Sequence, residues 1–413
     1  MKKLIFCLLI LGLTIAILVP AKAKEVRELK IGIAVSPAVE AMPNWRSEIE
    51  NGVAFASKIF EKEFGMRFVI AKVDKWALGA ACVDPNCILN DLDSNFPRKG
   101  IDMMIGLVNI PGAAMGKNGG GESGAERFRR DYFIVPYPVK PNEVGMTIAR
   151  DLGLLFGAVS SNNPDSLMCP DHAGKTTDEF DKQNRKILEQ TRTMDLVKGV
   201  KSLSQDALEQ LLKIYKKMAR GSESVAVFNH LADIYLQLGR WDEAIDFADK
   251  ALQSEKANPD SYEIMAEILL QKNDYGNAVR FSMEGLKYTG NLKQQARFYR
   301  KIGYSFSEQE RYDLAAENYR LSVDRDPMNM DSRFGLVTAY SLIQNFAAAK
   351  KEAEALLQIN PNDTLVQEML NNINDMIESD AEIRSRPGGS DLPQENFSDD
   401  TSKTGNLMGI RRG

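Results

Sequence analysis

Four short segments recur at a nearly constant spacing in the second half of the chain. They are RWDEA at 240–244, DYGNA at 274–278, RYDLA at 311–315 and NFAAA at 345–349. Their final alanines lie 34, 37 and 34 residues apart, and an aromatic residue precedes each alanine by three positions. A small residue (Ala232, Ala266 or Gly303) precedes three of these alanines by twelve positions. Since two helices cross closely only where no bulky side chain intervenes, the pattern predicts stacked helix pairs.

This period, with its aromatic and small positions, resembles the tetratricopeptide (TPR) repeat. The resemblance implies an all-α TPR solenoid over residues 203–379, with about four repeats and a capping helix at each end. The three additional residues before the third repeat, near Thr289 and Gly290, are expected to lengthen a helix or a loop. In TPR arrays the first helix of each repeat lines a concave groove, so we expect a protein or peptide partner there.

The groove positions are polar in the first two repeats and basic or aromatic in the later ones. The predicted lining residues are Asn229, Asp233, Glu263, Glu267, Arg297, Arg300, Tyr304 and Phe334. The Lys/Asn pattern with which some TPR arrays grip a terminal carboxylate is absent from these positions. The alternative is a solvated face without a specific ligand.

The first 23 residues are typical of a secretory signal peptide, because two lysines precede an apolar run that ends at the small-x-small site Ala21-Lys22-Ala23. We therefore expect an exported protein, periplasmic or extracellular, with a mature chain that begins at Lys24. An uncleaved membrane anchor is the alternative. No other apolar run approaches ~20 residues, so no span is expected in the mature chain. A net charge of −5 without a basic cluster argues against nucleic acid as a partner.

Three cysteines follow the predicted cleavage site. Cys82 and Cys87 flank a short loop that contains Pro85, and they are a candidate disulfide in an oxidising compartment. A zinc knuckle is the alternative, although no second cysteine pair lies nearby. Cys169 is left either buried and reduced or paired with one of the other two.

Residues 24–195 alternate between strand and helix patterns, whereas residues 380–413 are polar and predicted to form a disordered tail. Strands are predicted at 29–35, 67–76, 101–109 and 131–138, and helices at 42–64, 87–96, 141–158 and 176–191. The glycine-rich segment GKNGGGESG lacks the GK[ST] ending of a phosphate-binding loop. The order of elements predicts an α+β layer.

One helix of this region carries the spacing of a zinc-protease site. The metzincin sequence His-Glu-x-x-His-x-x-Gly-x-x-His, followed by a methionine turn, places two histidines on one helix face and bends the chain to bring a third. The corresponding residues here are Arg150, Asp151, Leu154, Gly157, Ser160 and Met168. Residues 24–195 resemble the metzincins in this spacing and in their element order. The resemblance implies an α+β zincin-like fold in which no histidine occupies a ligand position.

We therefore expect no bound metal, no cofactor and no catalysis, since Leu154 cannot bind zinc and Arg150 places a cation where the metal would lie. Three alternatives remain open: an ordinary core helix, a zinc metallopeptidase that uses His172, Asp151 and Cys169, and an Arg150 that binds a peptide carboxylate. The expected function is that of an exported pseudoprotease joined to a TPR array, acting in protein–protein interaction or as a scaffold. A TPR adaptor with a merely structural N-terminal domain is a further possibility.

Overall fold

The computed structural model of the chain describes two packed units and a continuous path between them. It covers residues 26–79, 82, 85–96, 99–109, 131–137, 143–170, 176–221 and 223–385. The predicted signal peptide (1–23), the glycine-rich segment, His172 and residues 386–413 lie outside the described residues. Among the helices that are described, none has the length and apolar character that a membrane crossing requires.

The N-terminal unit is built around a four-stranded sheet. Its elements are β1 (Arg27–Val35), α1 (Pro37–Glu40), α2 (Trp45–Phe64), β2 (Met66–Lys75), α3 (Pro85–Asn95), β3 (Met103–Val108), β4 (Tyr132–Pro136), α4 (Val144–Leu155) and α5 (Lys182–Thr191). The strand order is β2-β1-β3-β4, and each of the three pairings is parallel. Helices α2 and α3 form the crossovers that parallel neighbours need.

This sheet differs from the α+β layer expected from the sequence, because its described strands are all parallel and carry helices on both faces. Every residue of β3 is buried, as its uninterrupted apolar run predicts. On one face Ile31 and Ile33 share a core with α2 and α4. On the other face Ala34 and Met104 share a separate core with α3. The described sheet therefore has the layering of an α/β unit.

The second unit consists of helix pairs in the predicted register. Its helices are α6 (Gln205–Met218), α7 (Val225–Gln237), α8 (Trp241–Ser254), α9 (Pro259–Gln271), α10 (Tyr275–Leu286), α11 (Leu292–Ser307), α12 (Tyr312–Arg325), α13 (Met330–Leu342), α14 (Phe346–Ile359) and α15 (Thr364–Ser385). The four repeat alanines at the crossings are fully buried. Helix α15 continues past residue 380, where the sequence predicts the start of a disordered tail.

The turn inside each pair repeats the same backbone conformation. The residues with a left-handed φ there are Gly239 (70°), Asn273 (59°), Glu310 (59°) and Gln344 (60°). Only the first is a glycine, which favours this conformation without steric cost. The shared turn fixes the angle at which the second helix of each pair packs on the first.

The three additional residues of the third repeat lengthen a helix rather than a loop. Helix α11 has 16 residues, whereas α7, α9 and α13 have 13 each. It begins at Leu292, 18 positions before its turn residue Glu310, while α13 begins 14 positions before Gln344. The third repeat therefore carries an added turn at the N-terminal end of α11.

The two units share one apolar core. Leu208, Leu211 and Tyr215 of α6 belong to the same cluster of buried side chains as Leu152 of α4 and Leu231 of α7. The connecting segment between α5 and α6 places four apolar side chains in the core, those of Met194, Leu196, Val200 and Leu203. The segment between the predicted domain ends at 195 and 203 is thus anchored to the core by buried side chains.

Two glycines of helix α10 allow a paired test of the helix packing. A Cβ atom on Gly285 would lie 2.3 Å from a ring carbon of Phe298 and 2.9 Å from the Cβ of Tyr262, whereas one on Gly276 would have no neighbour within 4 Å. We expect Gly285→Ala to lower the free energy of unfolding by about 1–3 kcal/mol through overpacking. Gly276→Ala should raise it by about 0.5 kcal/mol through helix propensity.

Urea unfolding of the full chain measures both changes. The two glycines share a helix and a substitution, so the variants differ mainly in the space around the added methyl group. Their effects on the free energy of unfolding should therefore have opposite signs. A stabilising Gly285→Ala variant would contradict the close approach of α10 to α11.

Candidate functional site

The two acidic groove residues of α9, Glu263 and Glu267, are paired with basic residues of the next repeat. Glu263 of α9 accepts two hydrogen bonds from the guanidinium of Arg297 on α11, at 2.7 and 3.0 Å. Glu267 pairs with the ammonium group of Lys301, which is only 4% exposed, and Lys201 Nζ lies 3.8 Å away from the same carboxylate. Each α9–α11 pair joins residues 34 positions apart. These charges hold adjacent repeats together.

The positive charges beside Glu267 lower the pKa of its carboxyl. The charge of Lys301, followed by that of Lys201, lowers the pKa of the Glu267 carboxyl from 4.5 to about 2, although desolvation opposes the shift. Burial lowers the pKa of Lys301. A buried ion pair of this kind is strongly destabilised when one partner is removed.

Asn229 and Asp233 of α7 are also buried, although the sequence predicts that they face an open groove. The Asn229 Oδ1 atom accepts a hydrogen bond of 2.9 Å from the Ser261 hydroxyl in the first turn of α9. Asn258, the N-cap of α9, contacts the Asn229 amide at 3.4 Å. Asn229 therefore positions the start of the next repeat. Every position of α7 from Val225 to Leu236 is buried, so this helix presents no open groove face.

Arg300 and Tyr304 are the predicted groove residues that remain most accessible. The Arg300 side chain is 32% exposed, and its nearest carboxylate, that of Asp331, is 3.9 Å away and itself largely exposed. Tyr304 is 41% exposed, and its ring meets that of Tyr275 edge to face at 6.4 Å. Phe334 is half-buried against the core formed by α13, α14 and α15. On α11 a cation and an aromatic ring lie one turn apart, and the ring of Tyr275 on α10 lies beside them. They form a surface on which a partner could pack, hereafter the Arg300–Tyr304 surface.

One residue next to this surface, Tyr275, is absent from the sequence-based prediction. The Tyr275 hydroxyl donates a hydrogen bond of 3.0 Å to the carboxylate of Glu308. Tyr275 is the repeated aromatic position of the second helix in its pair, which the pattern assigns to packing alone. The pairing of α9 with α11 does leave a sequence signal, since Glu263 and Glu267 are each followed 34 positions later by a basic residue.

The end of helix α4 has the geometry that the zinc-protease spacing predicts for its glycine. Gly157 has a φ of 87°, and its N–H and that of Ala158 donate to the carbonyl oxygens of Leu154 and Gly153. The chain then turns so that Met168 lies under α4. A Cβ atom on Gly153 would be 2.9 Å from Sδ of Met168, so this methionine packs directly against the helix backbone.

The remaining positions of that spacing hold no metal-binding arrangement. Arg150 and Asp151 lie side by side, with Nη2 and Oδ1 3.6 Å apart, and Asp151 is buried. Leu154 is buried in the core and Ser160 is exposed. Within the described part of the chain, no group of three or more His, Cys, Asp or Glu residues is arranged to hold a metal ion.

The cysteines separate into a bonded pair and a buried thiol. Cys82 and Cys87 are joined by a disulfide with an S–S distance of 2.02 Å. Cys169, beside Met168, is buried and is not part of a disulfide. The disulfide closes the segment that leads into α3, so it fixes the start of that helix.

The TPR family matches the chain twice, at residues 225–258 and at residues 300–364. Protein unc-45 homolog B of Xenopus laevis is 25% identical over 114 residues, which are 28% of this chain and 12% of that protein. Hsp70-Hsp90 organizing protein 3 of Arabidopsis thaliana is 20% identical over 183 residues, which are 36% of this chain and 33% of that protein. The chain thus spans about a third or less of the length of these two relatives.

Among solved structures, the crystal structure of MamA covers 43% of this chain and 95% of its own, with 16% identity and a TM-score of 0.36. The family matches and the helix pairs agree on the C-terminal unit, which is a solenoid of TPR repeats.

The ion pair of Glu267 is expected to stabilise the array. Glu267→Gln should lower the free energy of unfolding at neutral pH by about 3 kcal/mol, because it leaves a buried ammonium group without its charge partner. The folded-state pKa of about 2 lies below the ordinary value of 4.5. The contribution of Glu267 is therefore fully present above about pH 4.5 and is lost as the pH falls towards about 2.

Chemical denaturation between pH 2 and pH 7 measures this contribution, and Glu267→Gln should flatten the profile in that window. The matched control is Asp324→Asn, which removes an exposed ion pair with Arg320 and should leave stability nearly unchanged. Equal effects of the two substitutions would mean that the Glu267 pair contributes no more than a surface contact.

Proposed function

We propose that this chain is a non-catalytic protein-interaction scaffold, in which the TPR array binds a protein or peptide segment. The observation that carries the proposal is a contrast within α11. Arg297 and Lys301 pair with carboxylates of α9, whereas Arg300 contacts the exposed carboxylate of Asp331 and Tyr304 is exposed. Arginine and tyrosine are the side chains most often found at the energetic centre of protein interfaces. The partial likeness to a protein named as an Hsp70-Hsp90 organizer accords with a role in assembling other proteins.

The N-terminal unit is proposed to be a metzincin-like domain without zinc or protease activity. Three features support the proposal: the left-handed glycine that ends α4, the methionine packed beneath that helix, and the long helix α2 beside it. The ligand positions themselves hold an arginine, a buried leucine and an exposed serine, none of which can supply the imidazoles that catalytic zinc uses. The unit then serves as a structural partner of the array.

The protein is proposed to act outside the cytoplasm, in the periplasm or the extracellular space. The N-terminal sequence supports export, and the Cys82–Cys87 disulfide accords with an oxidising compartment.

Substitutions on the Arg300–Tyr304 surface test the binding proposal. Peptides selected from a random library against the mature chain provide the ligands, and fluorescence anisotropy measures their Kd. Tyr304→Ala and Arg300→Glu should each weaken binding by about 2 kcal/mol, or roughly 30-fold, if these side chains are central contacts. Arg320→Glu is the matched control, because this exposed arginine lies on α12, the second helix of its pair. Selected peptides that bind all three variants like the parent would contradict the proposed surface.

Native mass spectrometry of the protein exported by its own N-terminal sequence tests the other two proposals. We expect the mass of a chain that begins at Lys24, without the two thiol hydrogens of Cys82 and Cys87 and without zinc. Retention of residues 1–23 together with reduced thiols would contradict export into an oxidising compartment. Stoichiometric zinc that disappears in Asp151→Asn would contradict the ligand-less domain.

A further inference from the structure

Among the described residues, the N-terminal unit touches the array at two separate places. At the first, α4 and α6 pack with α7 in the continuous apolar core that joins both units. At the second, helix α3 meets the added turn at the start of α11, which is present in the third repeat alone among the four. The first attachment is apolar and the second is polar, so the second should open more easily than the first.

Helix α3 is held to the N-terminal unit by its inner face. Its apolar residues Ile88, Leu89 and Leu92 are buried in the second core, under the sheet. The indole N–H of Trp76 donates a hydrogen bond of 2.5 Å to the carboxylate of Asp91. The disulfide between Cys82 and Cys87 ties the first turn of the helix to the preceding segment. Helix α3 therefore moves with the sheet and not with the array.

The outer face of α3 contacts the array through polar groups. The side-chain oxygen of Asn90 accepts hydrogen bonds from the Asn291 amide at 2.9 Å and from the Leu292 N–H at 3.0 Å. Its amide nitrogen donates to the carbonyl oxygen of Gly290 at 2.9 Å. The carboxylate of Asp93 accepts from Lys293 Nζ at 2.8 Å. Asn291 is the N-cap of α11, so α3 contacts the point at which that helix begins.

These contacts join polar groups, whereas the first attachment joins apolar side chains. A polar contact contributes little net stability, because water replaces it when the surfaces part. The second core, on which α3 rests, contains no residue of the array among the described side chains. Separation at α3 therefore exposes little apolar surface, while separation at α6 would expose a large part of the shared core.

The paired row of α9 and α11 begins one turn from this contact. Gln294 is fully buried and donates hydrogen bonds to Asp260 at 2.6 Å and to Glu263 at 3.3 Å. The N-terminal unit is anchored at α7 on one side of α9 and at α11 on the other side. It thus spans the second repeat, whose groove residue Glu263 is buried.

We infer that helix α3 is a releasable clasp between the N-terminal unit and the third repeat. When the clasp opens, the N-terminal unit swings about the apolar attachment at α6. The clasp gives the two units a closed state, in which α3 contacts the start of α11, and an open state, in which water replaces that contact. This inference rests on contacts between the units and does not depend on the proposed peptide surface.

Distance measurements between spin labels on the full mature chain test the clasp. The labels are placed at Lys99→Cys, beyond the C-terminal end of α3, and at Met328→Cys, a 67% exposed site in the array. The chain without the two introduced cysteines, carried through the same labelling reaction, controls for labelling at Cys169. We expect one narrow distance in the labelled parent and an additional population at longer distance in Asp93→Lys, because the Asp93–Lys293 attraction becomes repulsion.

A charge exchange separates the clasp from a general loss of structure. Lys293→Asp should also add the longer distance, and the double variant Asp93→Lys, Lys293→Asp should restore the single narrow distance. Asn90→Ala, which removes three hydrogen bonds without a charge, should shift the distribution in the same direction as Asp93→Lys. Asp74→Lys, in an exposed pair on β2, should leave it unchanged.

Parent-like distances in both Asp93→Lys and Asn90→Ala would overturn the inference. So would a double variant that keeps its circular dichroism but fails to recover the parent distance. Because no partner is present in these measurements, their failure would leave the proposed binding surface untouched.

Discussion

The hydroxyl of Tyr215 donates a hydrogen bond of 2.6 Å to the carbonyl oxygen of Gly157, in the buried contact where helix α6 meets the end of α4. The carbonyl belongs to the left-handed turn that ends α4, and such a group needs a partner once it is removed from water. Burial raises the pKa of Tyr215, so its hydroxyl stays protonated and remains a donor. The bond itself contributes only about 1 kcal/mol. It specifies the register in which the apolar surfaces of the two units pack.

That contact determines what the array can present to a partner. With α6 fixed on the N-terminal unit, α7 lies inside the shared core and loses its open face. The acidic residues of α9 are then satisfied by Arg297 and Lys301 rather than by an external ligand. The surface that remains begins at Arg300 and Tyr304, about midway along the array. A TPR solenoid thereby offers a partner only part of its concave face.

The periodic features of this fold could be predicted from the sequence. The spacing of the repeat alanines fixed which helices pair, and the position of Gly157 indicated where α4 ends. The sequence left two outcomes for the additional residues near Thr289, since an insertion can enter a helix or a loop. It missed the parallel sheet, because apolar alternation defines strands but not their relative direction. It also missed the burial of Asn229 and Glu263, since periodicity shows which residues share a face and not what covers that face.

Native-state hydrogen exchange in increasing denaturant tests most directly whether the two units are one cooperative structure. If they share a core at Tyr215, the slowest amides of α4 and α7 will exchange through the same opening, with equal free energies and equal denaturant slopes. Amides of α7 that stay protected at denaturant concentrations where α4 has already exchanged would contradict the shared core. The array would then be an independent solenoid to which the N-terminal unit is merely attached.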